Sequence, residues 1–315
     1  MHPALSIVFF TTASGAGFAL LFLVGLGVPL GLLPQSPWFG FVVLAVAIGL
    51  AAAGLASSAF HLGRPERAWR AFSQWRSSWL AREGVMSALT LAAAAIFGIG
   101  WVFFGVTGGV IGLFGIVAAA LALGTIQCTG MIYASLKPVH QWHNRWTVPN
   151  YFAIGLASGF LLLDLIARFW ELRPVALPIL TLCALALSWW TKEAYWRFID
   201  TTSAPSSVES ATALGRRGWV RMLDPPHTEA NYLLQEMGFR IARKHSQRLR
   251  VIARIAGFTL PLLLTLIALF ASGGVGVVAA AAAIASAALG LVVERWLFFA
   301  EAKHTVTLYY GAAAV

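Results

Sequence analysis

Charge is what this chain has least of. Residues 1–60 contain no Asp, Glu, Lys or Arg, and neither do residues 84–136. Only 11% of the 315 residues are charged, against about a quarter in an ordinary soluble domain. Mean hydropathy is +0.78. A water-facing shell cannot be built from this composition. The sequence therefore reads as a polytopic membrane protein in which lipid takes the place of that shell.

Cysteine is nearly absent. Cys128 and Cys183 lie far apart in apolar stretches, and there is no CxxC pair. That excludes an iron–sulfur cluster or zinc site held by this chain, and both cysteines read as small buried hydrophobes. No histidine falls in the middle of an apolar stretch. His2, His61, His140, His143, His227, His245 and His304 all sit at stretch ends or in loops. A membrane cytochrome needs histidines inside its spans as haem ligands, so no haem is expected. The N-terminus has no basic region ahead of its apolar run, so it reads as a retained first helix and not as a cleaved leader. A twin-arginine signal is lacking too.

What is present is apolar runs of bilayer length. About 20 apolar residues cross the hydrocarbon. Eight stretches qualify, at 5–30, 37–60, 83–104, 110–136, 149–170, 174–195, 251–271 and 275–298. The expected fold is all-α, with eight transmembrane helices in a single membrane domain. Pro37, Pro149 and Pro174 fall at expected helix starts, where a missing N–H costs nothing. Gly15 and Gly17, and Gly155 and Gly159, read as places of close helix approach.

Eight spans put both termini on one side. That side holds 20 of the 22 Lys plus Arg, and the other side holds Arg168 and Arg173. Without the long sixth loop the ratio is still nine to two. The positive-inside rule makes the basic side, with both termini, cytoplasmic. The expected location is the bacterial inner membrane, with lipid and no nucleic acid as partner. The sixth loop, 196–250, is the one sizeable soluble element. Its 201–210 stretch, rich in Ser, Thr and Pro, should be irregular. Residues 228–248 alternate apolar and charged positions at near-helical spacing and read as an amphipathic helix.

Between the first two charge-free regions lies a dense polar island, HLGRPERAWRAFSQWRSSWLARE. It holds five arginines, two glutamates and three tryptophans. His61 ends the second span and Glu83 opens the third. A short connection makes these helices antiparallel neighbours, so the two side chains fall at similar depth. Histidine titrates near physiological pH, and a carboxylate taken from water holds its charge less readily. The pair suits proton-coupled chemistry at a membrane boundary. A plainer reading stays open: Arg and Trp anchor span ends routinely, and Glu83 favours the positive end of its helix. Arg82 or Arg64 would then neutralise it.

Other ionisable groups in spans are few. Asp164 and Arg168, four residues apart, form a local pair or mark a proton exit. Glu294 and Arg295 read as boundary anchors closing the eighth span. Gln127 reads as buried in the fourth and needing a hydrogen-bond partner.

The segment HLGRPERAWRAFSQWRSSWLAREGV, from His61 to Val85, resembles the dimethyl sulfoxide reductase membrane-anchor subunit family, the DmsC type. HPALSIVFFTTASGAGFAL and LDPPHTEANYLLQEMGF resemble it too. The resemblance implies a subunit without redox metal that oxidises menaquinol. It implies two partners, a four-cluster ferredoxin-like iron–sulfur subunit and a molybdopterin catalytic subunit. It also implies quinol binding by His61 and Glu83, with Arg64, Arg67 and Arg82 around them. His61 and Glu83 would take the quinol protons, and an arginine would steady a carboxylate or semiquinone anion. Related anchors serve polysulfide, tetrathionate or selenate reduction, and the anchor sequence does not choose among them. A secondary transporter would carry its polar groups at the bilayer midplane, whereas this chain gathers them at one boundary. A structural anchor without quinol chemistry is the remaining alternative.

Overall fold

The computed structural model describes residues 5–59, 64–170, 175–204, 206–215, 218–221, 223–224 and 245–310. Among them every regular element is helical. In chain order these are α1 (Leu5–Gly27), α2 (Pro37–Ala59), a 3-10 segment (Pro65–Gln74), α3 (Trp79–Phe104) and α4 (Gly109–Ala134). There follow α5 (Thr147–Phe169), α6 (Ala176–Thr201), the short α7 (Val208–Thr212), α8 (Ser246–Phe270), α9 (Gly273–Ala300) and a closing 3-10 segment (Thr305–Tyr310).

Seven of these helices, α1–α5, α8 and α9, are long and apolar enough to cross a bilayer. At 26 residues α6 has the length, but its C-terminal third carries Lys192, Glu193, Arg197 and Asp200. The polytopic helical fold expected from composition is thus present. Of the eight expected crossings, α6 is the one that length and apolarity alone do not establish. Residues 228–244 of the expected amphipathic helix lie outside the described residues, as does Pro174. Ser246–Arg250 forms the first turn of α8.

α1 packs against α2, α4, α5 and α9 and lies at the centre of the bundle. Its sequence allows this because small residues face its neighbours. At Gly17 a Cβ would stand 2.5 Å from the backbone nitrogen of Ala51, so only glycine lets α2 come this close. Gly15 and Gly155 border a small cavity. A Cβ on Gly15 would meet nothing within 4 Å.

α8 contains a π-turn at Ile255–Thr259, just ahead of Pro261. Proline supplies no N–H and disturbs the ladder of the preceding turn. Ser286 of α9 donates to the Ala256 carbonyl at 2.8 Å, which satisfies a polar group loosened there. The α8–α9 crossing is tight at this point, with Gly257 against Gly290.

α3 begins four residues before the sequence expectation, because Ser78 caps it by accepting from the Ala81 N–H. Glu83 therefore sits in the second turn and does not open the helix. Cys183 lies on the exposed outer face of α6, contrary to the expectation of burial, while Cys128 is buried. Gln127 is only half-buried.

Candidate functional site

The Glu83 carboxylate is 3% exposed. α3 and α4 are packed side by side, and this brings Thr129 of α4 to Glu83. The Thr129 hydroxyl donates to Glu83 Oε1 and also lies 3.1 Å from the Thr125 carbonyl. One helical turn deeper, the hydroxyls of Thr125 and Thr90 meet at 3.2 Å. A row of hydroxyls thus runs inward from Glu83 along the α3–α4 seam. Among the described residues Glu83 has no ion-pair partner.

The arginines of the polar island are engaged elsewhere. Arg82 donates from Nε to the Trp75 carbonyl at 2.9 Å and from Nη2 to the Arg76 carbonyl at 2.6 Å. Its guanidinium also covers the Trp79 ring at 4.2 Å. Arg82 therefore fastens the segment before α3 and does not neutralise Glu83. Arg67 is exposed beside Glu66, at 3.8 Å, and Arg64 is exposed. The structure brings none of the three into an ion pair with Glu83. His61 lies outside the described residues. The 3-10 segment turns Trp69, Phe72 and Trp75 outward. Phe72 also covers α3, where a Cβ on Gly84 would stand 3.3 Å from its ring.

A second polar centre occupies the bundle interior. Lys192 of α6 and Glu294 and Arg295 of α9 are 1%, 0% and 2% exposed. Lys192 pairs with Glu294, and Arg295 donates to Glu294 from Nε and, at 3.0 Å, from Nη2. This corrects the expectation that Glu294 and Arg295 are boundary anchors, since neither reaches the surface. Two cations share one carboxylate, and aromatic faces take up the surplus positive charge. Lys192 Nζ stands 4.0 Å from the Tyr195 ring centre, and the Arg295 guanidinium 4.5 Å from that of Tyr151. Tyr133 stacks on Tyr151 at 5.9 Å, and both tyrosines are within electrostatic reach of Glu83 and Arg295.

Outside this centre lies a third group. Arg250 is forked onto Asp200 at 2.6 and 3.1 Å and bonds Glu301 at 2.7 Å. Trp196 separates it from Lys192, with both cations over its ring. Elsewhere in the bundle Asp164 is held by Arg168 at 2.9 and 3.3 Å. Arg168 also caps the end of α8 through the Ala268 carbonyl at 2.8 Å. The local pair read from their spacing is thus present.

Sequence reading did not single out Thr129, Tyr151 or Lys192 for this site. Thr125 and Thr129, four apart on α4, are a weak trace of the hydroxyl row. Lys192 inside an otherwise apolar run was a stronger one. Nothing in the order of residues pairs α6 with α9.

The chain belongs to the DMSO reductase anchor subunit (DmsC) family, whose model it matches over residues 1–301. It is thus a multi-pass membrane anchor of an oxidoreductase complex. It is similar to a sulfite dehydrogenase subunit of Allochromatium vinosum, with 33% identity over 334 aligned residues covering all of both chains. No solved structure matches it.

Proposed function

We propose that this chain is the anchor through which a molybdopterin oxidoreductase exchanges electrons with menaquinol, with Glu83 exchanging the proton. The observation that carries the reading is the environment of Glu83. A carboxylate taken out of water, held by a neutral hydroxyl and lacking a cation, is suited to change its protonation state. A structural carboxylate at this depth would be paired, as Asp164 and Glu294 are. His61, from the neighbouring end of α2, contacts the other side of the headgroup, and Arg64 and Arg67 lie toward the lipid headgroups. The exposed aromatics of the 3-10 segment suit the bilayer boundary, where a quinol enters. In this reading α6 is the eighth crossing, both termini are cytoplasmic, and the membrane is the bacterial inner membrane. The partners are a four-cluster ferredoxin-like iron–sulfur subunit and the molybdopterin subunit.

Two directions of flow are supported by different observations. The family's name favours quinol oxidation driving reduction of dimethyl sulfoxide. The full-length relative is a sulfite dehydrogenase subunit, which favours sulfite oxidation driving quinone reduction. Membranes holding the whole complex decide between them. Quinol-dependent loss of dimethyl sulfoxide is expected on the first reading, and sulfite-dependent reduction of a quinone analogue on the second. Neither activity, with both substrates supplied, would contradict quinone coupling.

A further inference from the structure

One small cavity touches both buried centres. It is lined by Thr129, whose hydroxyl holds Glu83, and by Arg295, which holds Glu294. Thr11, Ser14, Tyr151 and Ser158 supply further hydroxyls around it. Its volume of about 20 Å³ exceeds the roughly 10–15 Å³ that a water needs on the same measure. The Tyr151 hydroxyl is buried and has no hydrogen-bond partner among the described residues. Buried hydroxyls in native proteins are satisfied by protein or by water, and a polar cavity beside this one supplies the room.

We propose that this cavity holds a bridging water, and that Thr129, the water and Tyr151 link Glu83 to the Lys192–Glu294–Arg295 centre as a proton path. The proposal rests on Glu83 exchanging a proton with quinol. In the oxidising direction a quinol O–H bond breaks and its proton passes to the Glu83 carboxylate. The electrons leave to an iron–sulfur cluster of the partner subunit, and the ring becomes a quinone. The second quinol proton leaves from the other oxygen and is not carried here. Glu83 then gives its proton to the Thr129 oxygen as Thr129 releases its own to the water. Each hop breaks one O–H bond and forms one, and the last delivers a proton to Glu294. Arg295 keeps its protons throughout and positions the carboxylate. Quinone reduction runs the same hops backwards. Onward exit is available. Lys192 is within electrostatic reach of Glu301, whose second carboxylate oxygen is buried without a partner among the described residues. Glu301 borders an open pocket shared with His140, Asp200 and Lys303.

Two mild substitutions interrupt the path without breaking an ion pair. Tyr151→Phe removes one hydroxyl that bonds to no described residue. Gly15→Ala adds a methyl group beside the cavity where it meets no atom within 4 Å. Both are made in the whole complex, alongside Glu83→Gln. Each should assemble and bind a quinone-analogue inhibitor with native affinity. Turnover should fall at least about tenfold, below the usual contribution of positioned proton transfer, and the solvent deuterium isotope effect should rise. Native turnover and isotope effect in both, with Glu83→Gln slow, would overturn the path and leave the quinone site standing. Native turnover in Glu83→Gln would overturn both. Infrared difference spectra of the unmodified complex supply a check free of variants. A water band sensitive to oxygen-18 should change when quinone is reduced, and its absence would also overturn the path.

Discussion

A buried carboxylate is tolerated only with hydrogen-bond or charge partners, and this chain solves the problem in two ways. Glu294 is held by Lys192 and Arg295, whereas Glu83 is held by a threonine hydroxyl. The two arrangements respond differently to loss of charge. Glu294→Gln leaves two buried cations without a counter-ion, and removing one partner of a buried pair costs about 3–5 kcal/mol. Glu83→Gln strands no cation. Denaturation of the purified complex in detergent should show a large loss of stability for the first variant and a small one for the second. Equal losses would mean that Glu83 is a structural ion after all. At this scale the sequence was half legible. Glu83 stood out because it interrupts a long charge-free region. Glu294 and Arg295 lie so near the end of an apolar run that burial and anchoring give the same pattern, and only the partner on α6 distinguishes them.

At the scale of helices, small residues do two separate jobs on α1. Gly17 faces the α2 backbone at a distance no side chain tolerates, while Gly15, two residues earlier, faces open space. Gly17→Val should therefore push α2 away and lower the yield of assembled complex severalfold, as measured by copurification of the partner subunits. Native yield would show that the α1–α2 contact adjusts freely. The sequence displayed both glycines but not their difference, because spacing along one helix does not say which neighbour faces it. Helix positions were legible from hydropathy alone, since lipid demands unbroken apolar runs with internally bonded backbones. Starts were less so. Ser78 begins α3 within the polar island, where composition marks no boundary.

At the scale of the molecule, polar groups run from Glu83 at one end of α3 through the interior to the Arg250 group. Composition could reveal only the outer part of this arrangement, the charge asymmetry of the loops. The inner part depends on α1, α4, α5, α6 and α9 meeting around one polar interior, a property of tertiary packing. The central claim is that Glu83 exchanges a proton with quinol, and one comparison tests it most directly. The complex carrying Glu83→Gln is assayed for quinol-coupled turnover and, in parallel, for activity of the catalytic subunit with an artificial redox dye. The quinol-coupled rate should fall at least about tenfold while the dye-coupled rate and the quinone-analogue affinity stay native. A native quinol-coupled rate in that variant would contradict the claim.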